Sequence, residues 1–225
     1  CSSDLDALIA NSVPEESLGK AFGFHRAGDT LGAVIGPLLG LLALSLLKHD
    51  IRAAMWWCIV PAVISVALVG LVRDPHARSA RRGDAAEAPA AVSRGGTSEA
   101  LPTRVWVVCV PLVVVAVVNF SDALLLLRVL ELGFSTTQVV LAYVVFNAVY
   151  TLGSYPAGSL SDRWPRALVY AVGLAAFCAG YVGLGVVHRG AGVFVLLAVY
   201  GLFPAFTDGV GKAWVSALVP STQRG

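Results

Sequence analysis

Six long runs of apolar residues, nearly free of charge, constrain this chain more than any other feature of its sequence. A bilayer core is about 30 Å thick and takes about 20 helical residues to cross. Backbone within lipid must satisfy its own hydrogen bonds, so each run is predicted to be a transmembrane helix and the fold class to be an all-α integral membrane protein. The predicted spans are about 30–47, 53–72, 105–127, 138–160, 167–187 and 192–218.

The overall composition excludes several other classes of protein. Hydrophobic residues make up 57% of the chain and charged residues 13%, whereas a soluble domain carries about a quarter charged residues. With 16 basic against 14 acidic residues, the chain lacks the positive field that a nucleic-acid partner requires. Its four cysteines show no metal-ligand spacing, and neither a nucleophile–base pair nor a phosphate loop is visible. We therefore expect no metal, no cofactor and no enzymatic activity.

A long segment without apolar periodicity, residues 73–104, is predicted to be a flexible linker. It separates residues 1–72, with two spans, from residues 105–225, with four. Cytoplasmic loops of membrane proteins are enriched in Lys and Arg. Placing the linker in the cytoplasm gives that side eleven of the 16 basic residues and the opposite side four. This asymmetry predicts a multi-pass protein of the cell inner (plasma) membrane with residues 73–104 in the cytoplasm.

Asn119 and Asp122 are two polar residues of the third run, and their spacing of three places them on one helix face. An acid at membrane depth costs at least about 2.5 kcal/mol on insertion scales, so it needs a partner or a watery cavity. We interpret Asp122 as a protonatable or substrate-facing group. The alternative is a structural ion pair with a cation on another helix.

Four polar residues of the fourth run share a second helix face, at spacings of 4, 3 and 4: Tyr143, Asn147, Tyr150 and Ser154. Hydroxyl and amide groups in such a stripe can orient a ligand against apolar walls, which indicates a substrate pathway. Hydrogen bonding between helices is the alternative.

Charged residues also occur in the last run and just before the first. Asp208 and Lys212 are four apart in the order that favours an ion pair within a helix. We therefore expect them to neutralise each other, the alternative being that Lys212 alternates between Asp162 and Asp208. Arg26 and Asp29 precede the first run, where Asp29 would stabilise the start of a helix.

Two motifs resemble those of the major facilitator superfamily of secondary transporters. The segment GSLSDRWPR at 158–166 is similar to the cytoplasmic-loop motif of that family, with Pro165 where the family has Gly. The segment GAVIGPLLGL at 32–41 is similar to the antiporter motif of the fifth helix, whose small residues let a neighbouring helix approach closely. The matching residues are Gly158, Asp162, Arg163 and Arg166 in the loop, and Gly32, Gly36, Pro37 and Gly40 in the helix.

The resemblance implies six helices of a twelve-helix fold, running from the end of helix four to helix ten. A weak sequence similarity between residues 7–19 and 213–225 agrees with the two repeated halves of such a transporter. Asp162 would then latch the two helix bundles together in one conformation, with Lys212 as a second gating residue. The implied function is proton-coupled efflux of a small molecule or drug by alternating access. The alternatives are a proton-coupled metabolite or sugar importer and a truncated, non-transporting membrane protein. The implied partners are a small-molecule substrate, protons, the lipid bilayer and the remaining helices of the same transporter.

Overall fold

The described part of the chain is helical throughout, apart from turns and short connections. The computed structural model describes residues 6, 9, 12–47, 50, 52, 53, 56, 59, 63, 103–119, 121–188 and 190–218. Its helices are α1 (Leu18–Leu46), α2 (Thr103–Val118), α3 (Asp122–Glu131), α4 (Thr136–Ser161), α5 (Arg166–Val186) and α6 (Gly192–Leu218). Five stretches of these residues are long and apolar enough to cross a membrane. The predicted all-α membrane fold is confirmed.

Helix α1 begins twelve residues before the predicted first span. A short 3₁₀ turn at Glu15–Ser17 leads into it, and the helix runs through Arg26 and Asp29 before it reaches the charge-free run. The expectation that Asp29 lies at the start of a helix is therefore wrong, because the helix begins at Leu18. The Asp29 carboxylate lies 3.8 Å from the Arg26 guanidinium one turn earlier, so a charged segment can continue the helix.

The predicted span at 53–72 and the predicted linker at 73–104 lie almost entirely outside the described residues. Of the first, positions 53, 56, 59 and 63 are described, and they are helical. Of the second, only positions 103 and 104 are described, where α2 begins.

Within the predicted span at 105–127, Asn119 and Ser121 are not helical and lie between the end of α2 and the start of α3. Helix α2 ends with the Asn119 amide donating to the carbonyl of Val115. Helix α3 begins after Ser121, whose hydroxyl accepts from the Ala123 amide at 3.3 Å. A serine that satisfies a free amide in this way favours a new helix start over continuation of the old one.

Helix α6 is the centre of the packed unit that carries the candidate site. The chain forms two compact units, residues 1–39 with 101–225 and residues 40–100, and the site lies in the first. Helix α6 packs against both α4 and α5, and Gly201 lets its backbone approach the Phe146 carbonyl of α4. Helix α4 is fixed at its start by a capping box between Ser135 and Gln138.

Candidate functional site

Three helices meet at a polar network of Arg26 from α1, Tyr150 from α4 and Asp208 from α6. The Arg26 guanidinium donates to the Asp208 carboxylate through Nη2 at 2.6 Å and through Nε at 3.1 Å. Its Nε also donates to the Tyr150 hydroxyl, which in turn donates to Asp208. A charge-assisted pair of this kind compensates an acid that would be costly alone at membrane depth.

The expected pairing of Asp208 with Lys212 is wrong in this structure. Lys212 Nζ instead binds both carboxylate oxygens of Asp6, at 3.0 and 2.8 Å. The alternative partner, Asp162, is occupied elsewhere. A pair within one helix gains only about 0.2–0.5 kcal/mol, so partners that packing brings across from neighbouring segments take precedence.

Arg26 is the member of this network that the sequence reasoning missed. It was interpreted only as a flanking charge, because the charge-free run begins four residues later. Its partners are 124 and 182 positions away along the chain. One signal was available, since Arg26 is a single basic residue four positions before a membrane-length apolar run and so lies within reach of the bilayer.

The loop motif meets the beginning of α1. Asp162 Oδ1 accepts from the Gly19 amide at 2.8 Å, and Oδ2 accepts from the Lys20 amide at 3.0 Å. The carboxylate thus caps the positive end of α1. The backbones of Gly19 and Gly158 approach so closely that a Cβ on either would clash with the other.

The two arginines of the motif lie beside this contact. Arg166 Nη2 lies 3.4 Å from the carbonyl oxygen of Glu15 and donates to it, and Arg163 is exposed. Pro165, which replaces the usual glycine, immediately precedes α5 with φ −55° and ψ 121°, so the loop turns without a glycine here.

The polar stripe of α4 divides into two kinds of residue. Asn147 and Ser154 are buried and donate to carbonyls of their own helix, at Tyr143 and Tyr150. Only Tyr150 reaches other helices through its side-chain hydroxyl in the hydrogen bonds described here. The substrate pathway that this stripe indicated therefore stays a prediction, with Tyr150 as its best-connected member.

Asn119 and Asp122 meet at Tyr200 of α6, although they no longer share a helix. The Tyr200 hydroxyl lies 3.2 Å from Asn119 Oδ1 and 3.1 Å from Asp122 Oδ1. Among the described residues, no cation forms an ion pair with Asp122. Tyr200 stacks on Phe146, with ring centroids 5.3 Å apart, so aromatic rings cover one side of the cluster formed by Asn119, Asp122 and Tyr200.

No described residue packs closely against Gly32, Gly36 or Gly40 of α1. A Cβ built at Gly32, Gly36 or Gly40 would have no described atom within 4 Å, and Pro37 lies inside the helix. Close packing of another helix on this face stays a prediction.

The described residues also form two open grooves, of about 490 and 540 Å³. The first lies between residues 9–13 and 21–29, and the second lies between the α3–α4 and α5–α6 connections. Neither is lined by Asp122 or Asp208. In the described part of the chain, no three His, Cys, Asp or Glu side chains are placed to hold a metal ion.

Comparison with known proteins identifies relatives of this chain. The family model described as Major Facilitator Superfamily matches residues 5–130 and 115–225. An uncharacterized MFS-type transporter of Methanocaldococcus jannaschii is 28% identical over 226 residues. That alignment covers 95% of this chain and 52% of the relative, so the chain spans about half the length of the curated relative it matches. No solved structure gives a significant match.

Proposed function

Because the chain belongs to the Major Facilitator Superfamily, we propose that it forms part of a secondary active transporter that exports a small molecule in exchange for protons. The family is one of transporters rather than enzymes, and the apolar helices make the chain a multi-pass membrane protein. We also propose that it resides in the plasma membrane with residues 73–104 in the cytoplasm.

The observation that carries the proposal is the Arg26–Tyr150–Asp208 network. It joins α1 to α4 and α6. By the family resemblance, we assign α1 to the N-terminal half of the transporter and α4 and α6 to the C-terminal half. Alternating access requires the two halves to separate at one end, and this network would have to break for α1 to leave α6. Two further contacts support the same closed end, namely Asp162 on the start of α1 and Asp6 with Lys212.

Proton coupling follows if Asp208 is protonated during the cycle. A neutral Asp208 would leave the Arg26 guanidinium without its strongest partner, with Asp29 at 3.8 Å as the nearest described alternative. Titratable groups that interact electrostatically with Asp208 include Tyr150 on α4, Tyr170 on α5 and Asp122 on α3. A proton would thereby weaken the link between the halves, which is how a proton gradient can drive opening.

Export rather than import is supported by the antiporter-like motif at Gly32, Gly36, Pro37 and Gly40. Everted membrane vesicles separate the two directions. Respiration acidifies their lumen, and an exporter that exchanges protons for its substrate would discharge that gradient when the substrate is added outside. A proton-coupled importer would not.

The experiment therefore screens a compound panel for recovery of a pH-sensitive dye in everted vesicles carrying the full-length gene product. We expect at least one compound to discharge the gradient in wild-type vesicles and to have no effect with Asp208→Asn. Uptake of a compound at the same rate with and without the pH gradient would contradict proton coupling. Discharge by Asp208→Asn equal to wild type would remove Asp208 from the coupling step.

A further inference from the structure

We propose that Asp29 of α1 is the counter-ion that takes over the Arg26 guanidinium when α1 separates from α6. In the structure described here the guanidinium is bound by Asp208, and after separation it would pair with Asp29. This inference rests on the proposed transport function, because it concerns the movement that alternating access requires. It gives Asp29 a role in opening the molecule rather than in binding the substrate.

Asp29 lies close to Arg26 but does not yet hydrogen-bond it. Arg26 donates to Asp208 through Nη2 at 2.6 Å and through Nε at 3.1 Å. The nearest Asp29 oxygen, Oδ2, lies 3.8 Å from Arg26 Nη1 and 3.7 Å from Nδ1 of His25, both beyond hydrogen-bond distance. The Asp29 side chain is 52% exposed, so its oxygens can accept further hydrogen bonds.

The two acids differ in how they move relative to Arg26. Asp208 lies on α6, so a movement that carries α1 away from α6 also breaks the pair of Arg26 with Asp208. Asp29 lies on α1, three residues after Arg26, and residues three apart are neighbours on the surface of one helix. It is also the single acid of α1. Asp29 therefore stays within reach of the guanidinium in both arrangements.

The space beside the Asp29 carboxylate can receive the guanidinium. Asp29 and Gly28 form part of the wall of the open groove of about 490 Å³ between residues 9–13 and 21–29. A Cβ built at Gly28 would have no described atom within 4 Å. A guanidinium that turns towards Asp29 on this side displaces no other described side chain.

The contribution of Asp29 differs between the two arrangements. A cation within an apolar span is costly unless a partner compensates it. While α1 contacts α6, the Asp208 carboxylate and the Tyr150 hydroxyl supply that partner, so Asp29 adds little. After separation Asp29 is the acid that remains beside Arg26. An interaction that stabilises one of two states shifts the population towards that state, so Asp29 favours opening.

Alkylation of a buried cysteine measures the separation of α1 from α6 without requiring transport. The reporter is Ala213→Cys in the purified full-length gene product, with its native cysteines replaced by alanine. Ala213 of α6 is buried and packs with Leu18 and Phe22 of α1, so N-ethylmaleimide reaches a thiol there when α1 leaves α6. The alkylation rate then follows the population of the separated arrangement. Ser161→Cys, a nearly isosteric change at a buried position beside Gly19 of α1, is the reporter if Ala213→Cys fails to fold.

The variants are Asp29→Asn, Asp29→Glu and the matched control Glu16→Gln, which removes an exposed acid just before α1. A pair three residues apart on a water-exposed helix changes a population by roughly twofold. We expect Asp29→Asn to slow alkylation more, by about fivefold, because the cation lies within an apolar span. Asp29→Glu should recover most of the rate, and Glu16→Gln should react as wild type does. The Tm of Asp29→Asn should equal that of wild type, since Arg26 keeps its pair with Asp208.

A second background shows whether Asp29 acts through Arg26. With Arg26→Met and Asp208→Asn in place, no guanidinium needs a counter-ion, so adding Asp29→Asn should leave the alkylation rate unchanged. Further slowing in this background would overturn the assignment, because Asp29 would then act on another group. The assignment is also overturned if the wild-type reporter is never alkylated, or if Asp29→Asn reacts as fast as wild type or faster.

The proposed function fails separately from this inference. Alkylation that depends on Asp29 and Arg26, in a protein that discharges no pH gradient in everted vesicles, would contradict transport alone. Discharge of the gradient by wild type, together with alkylation that does not depend on Asp29, would contradict this inference alone.

Discussion

Asp122 and Asp208 are both acids within apolar spans, yet their surroundings differ in kind. Asp208 receives a guanidinium and a tyrosine hydroxyl from two other helices. Asp122 shares one tyrosine hydroxyl with Asn119 and pairs with no cation among the described residues. The first acid is internally compensated and holds helices together. The second accepts from one tyrosine hydroxyl, so its charge is compensated less by the described residues.

The largest effect should follow from breaking the Asp208 network. Asp208→Asn removes the carboxylate that both Arg26 and Tyr150 hydrogen-bond. We expect unfolding to become easier by about 2–3 kcal/mol, the cost of losing hydrogen bonds to a charged group. Thermal unfolding of the full-length gene product in detergent measures it.

The control is the double variant Arg26→Met with Asp208→Asn, which removes both charges. It should recover part of the loss, because no charge is then orphaned. A double variant that loses the sum of the two single effects would mean that the groups do not interact.

A somewhat smaller effect should follow at the Gly19–Gly158 contact. Gly158→Ala places a methyl group against the backbone of Gly19, and overpacking of this kind costs about 1–3 kcal/mol. Gly185→Ala in α5 is the control, since a Cβ there has no described atom within 4 Å. Equal Tm values for the two variants would show that α1 does not press against α4.

Removal of the Asp162 charge should have a smaller effect on stability. Asp162→Asn keeps an acceptor for only one of the two amides, Gly19 or Lys20, and loses about 1 kcal/mol of interaction with the helix terminus. We expect transport to fall while ligand binding survives, because the closed end is held less firmly. Parallel loss of binding and transport would indicate misfolding instead.

The smallest effect concerns the Asp6–Lys212 pair, whose side chains are about a quarter to a third exposed. Lys212→Met should lower stability by roughly 0.5–1 kcal/mol. Exchanging the charges, Asp6→Lys with Lys212→Asp, should restore most of it. If the charge-exchanged protein is less stable than either single variant, Asp6 and Lys212 do not form a direct pair.

The sequence predicted helices and membrane character well, because long charge-free runs have few other solutions. It was less successful with helix ends. The start of α1 carries charges that a hydropathy criterion excludes, and the break at Ser121 depends on one side-chain cap.

Side-chain partners were the least predictable feature. Asp208 has an apparent partner four residues away, in Lys212, but binds Arg26, which is 182 positions distant. Asn119 and Asp122 do not share the helix face that their spacing predicted, and the tyrosine that both contact lies 78 positions away from Asp122. Such pairings are set by which helices pack together, and spacing along a single helix cannot reveal them.

The most direct test compares Asp122→Asn and Asp208→Asn side by side, measuring the Tm of the full-length gene product for each. The substitutions are chemically identical, so any difference reflects the surroundings of the two acids. We predict that Asp208→Asn lowers Tm strongly, whereas Asp122→Asn changes the free energy of unfolding by less than about 0.5 kcal/mol, because no cation is orphaned. Equal losses, or a larger loss for Asp122→Asn, would contradict the distinction between an acid paired with a cation and an acid without one.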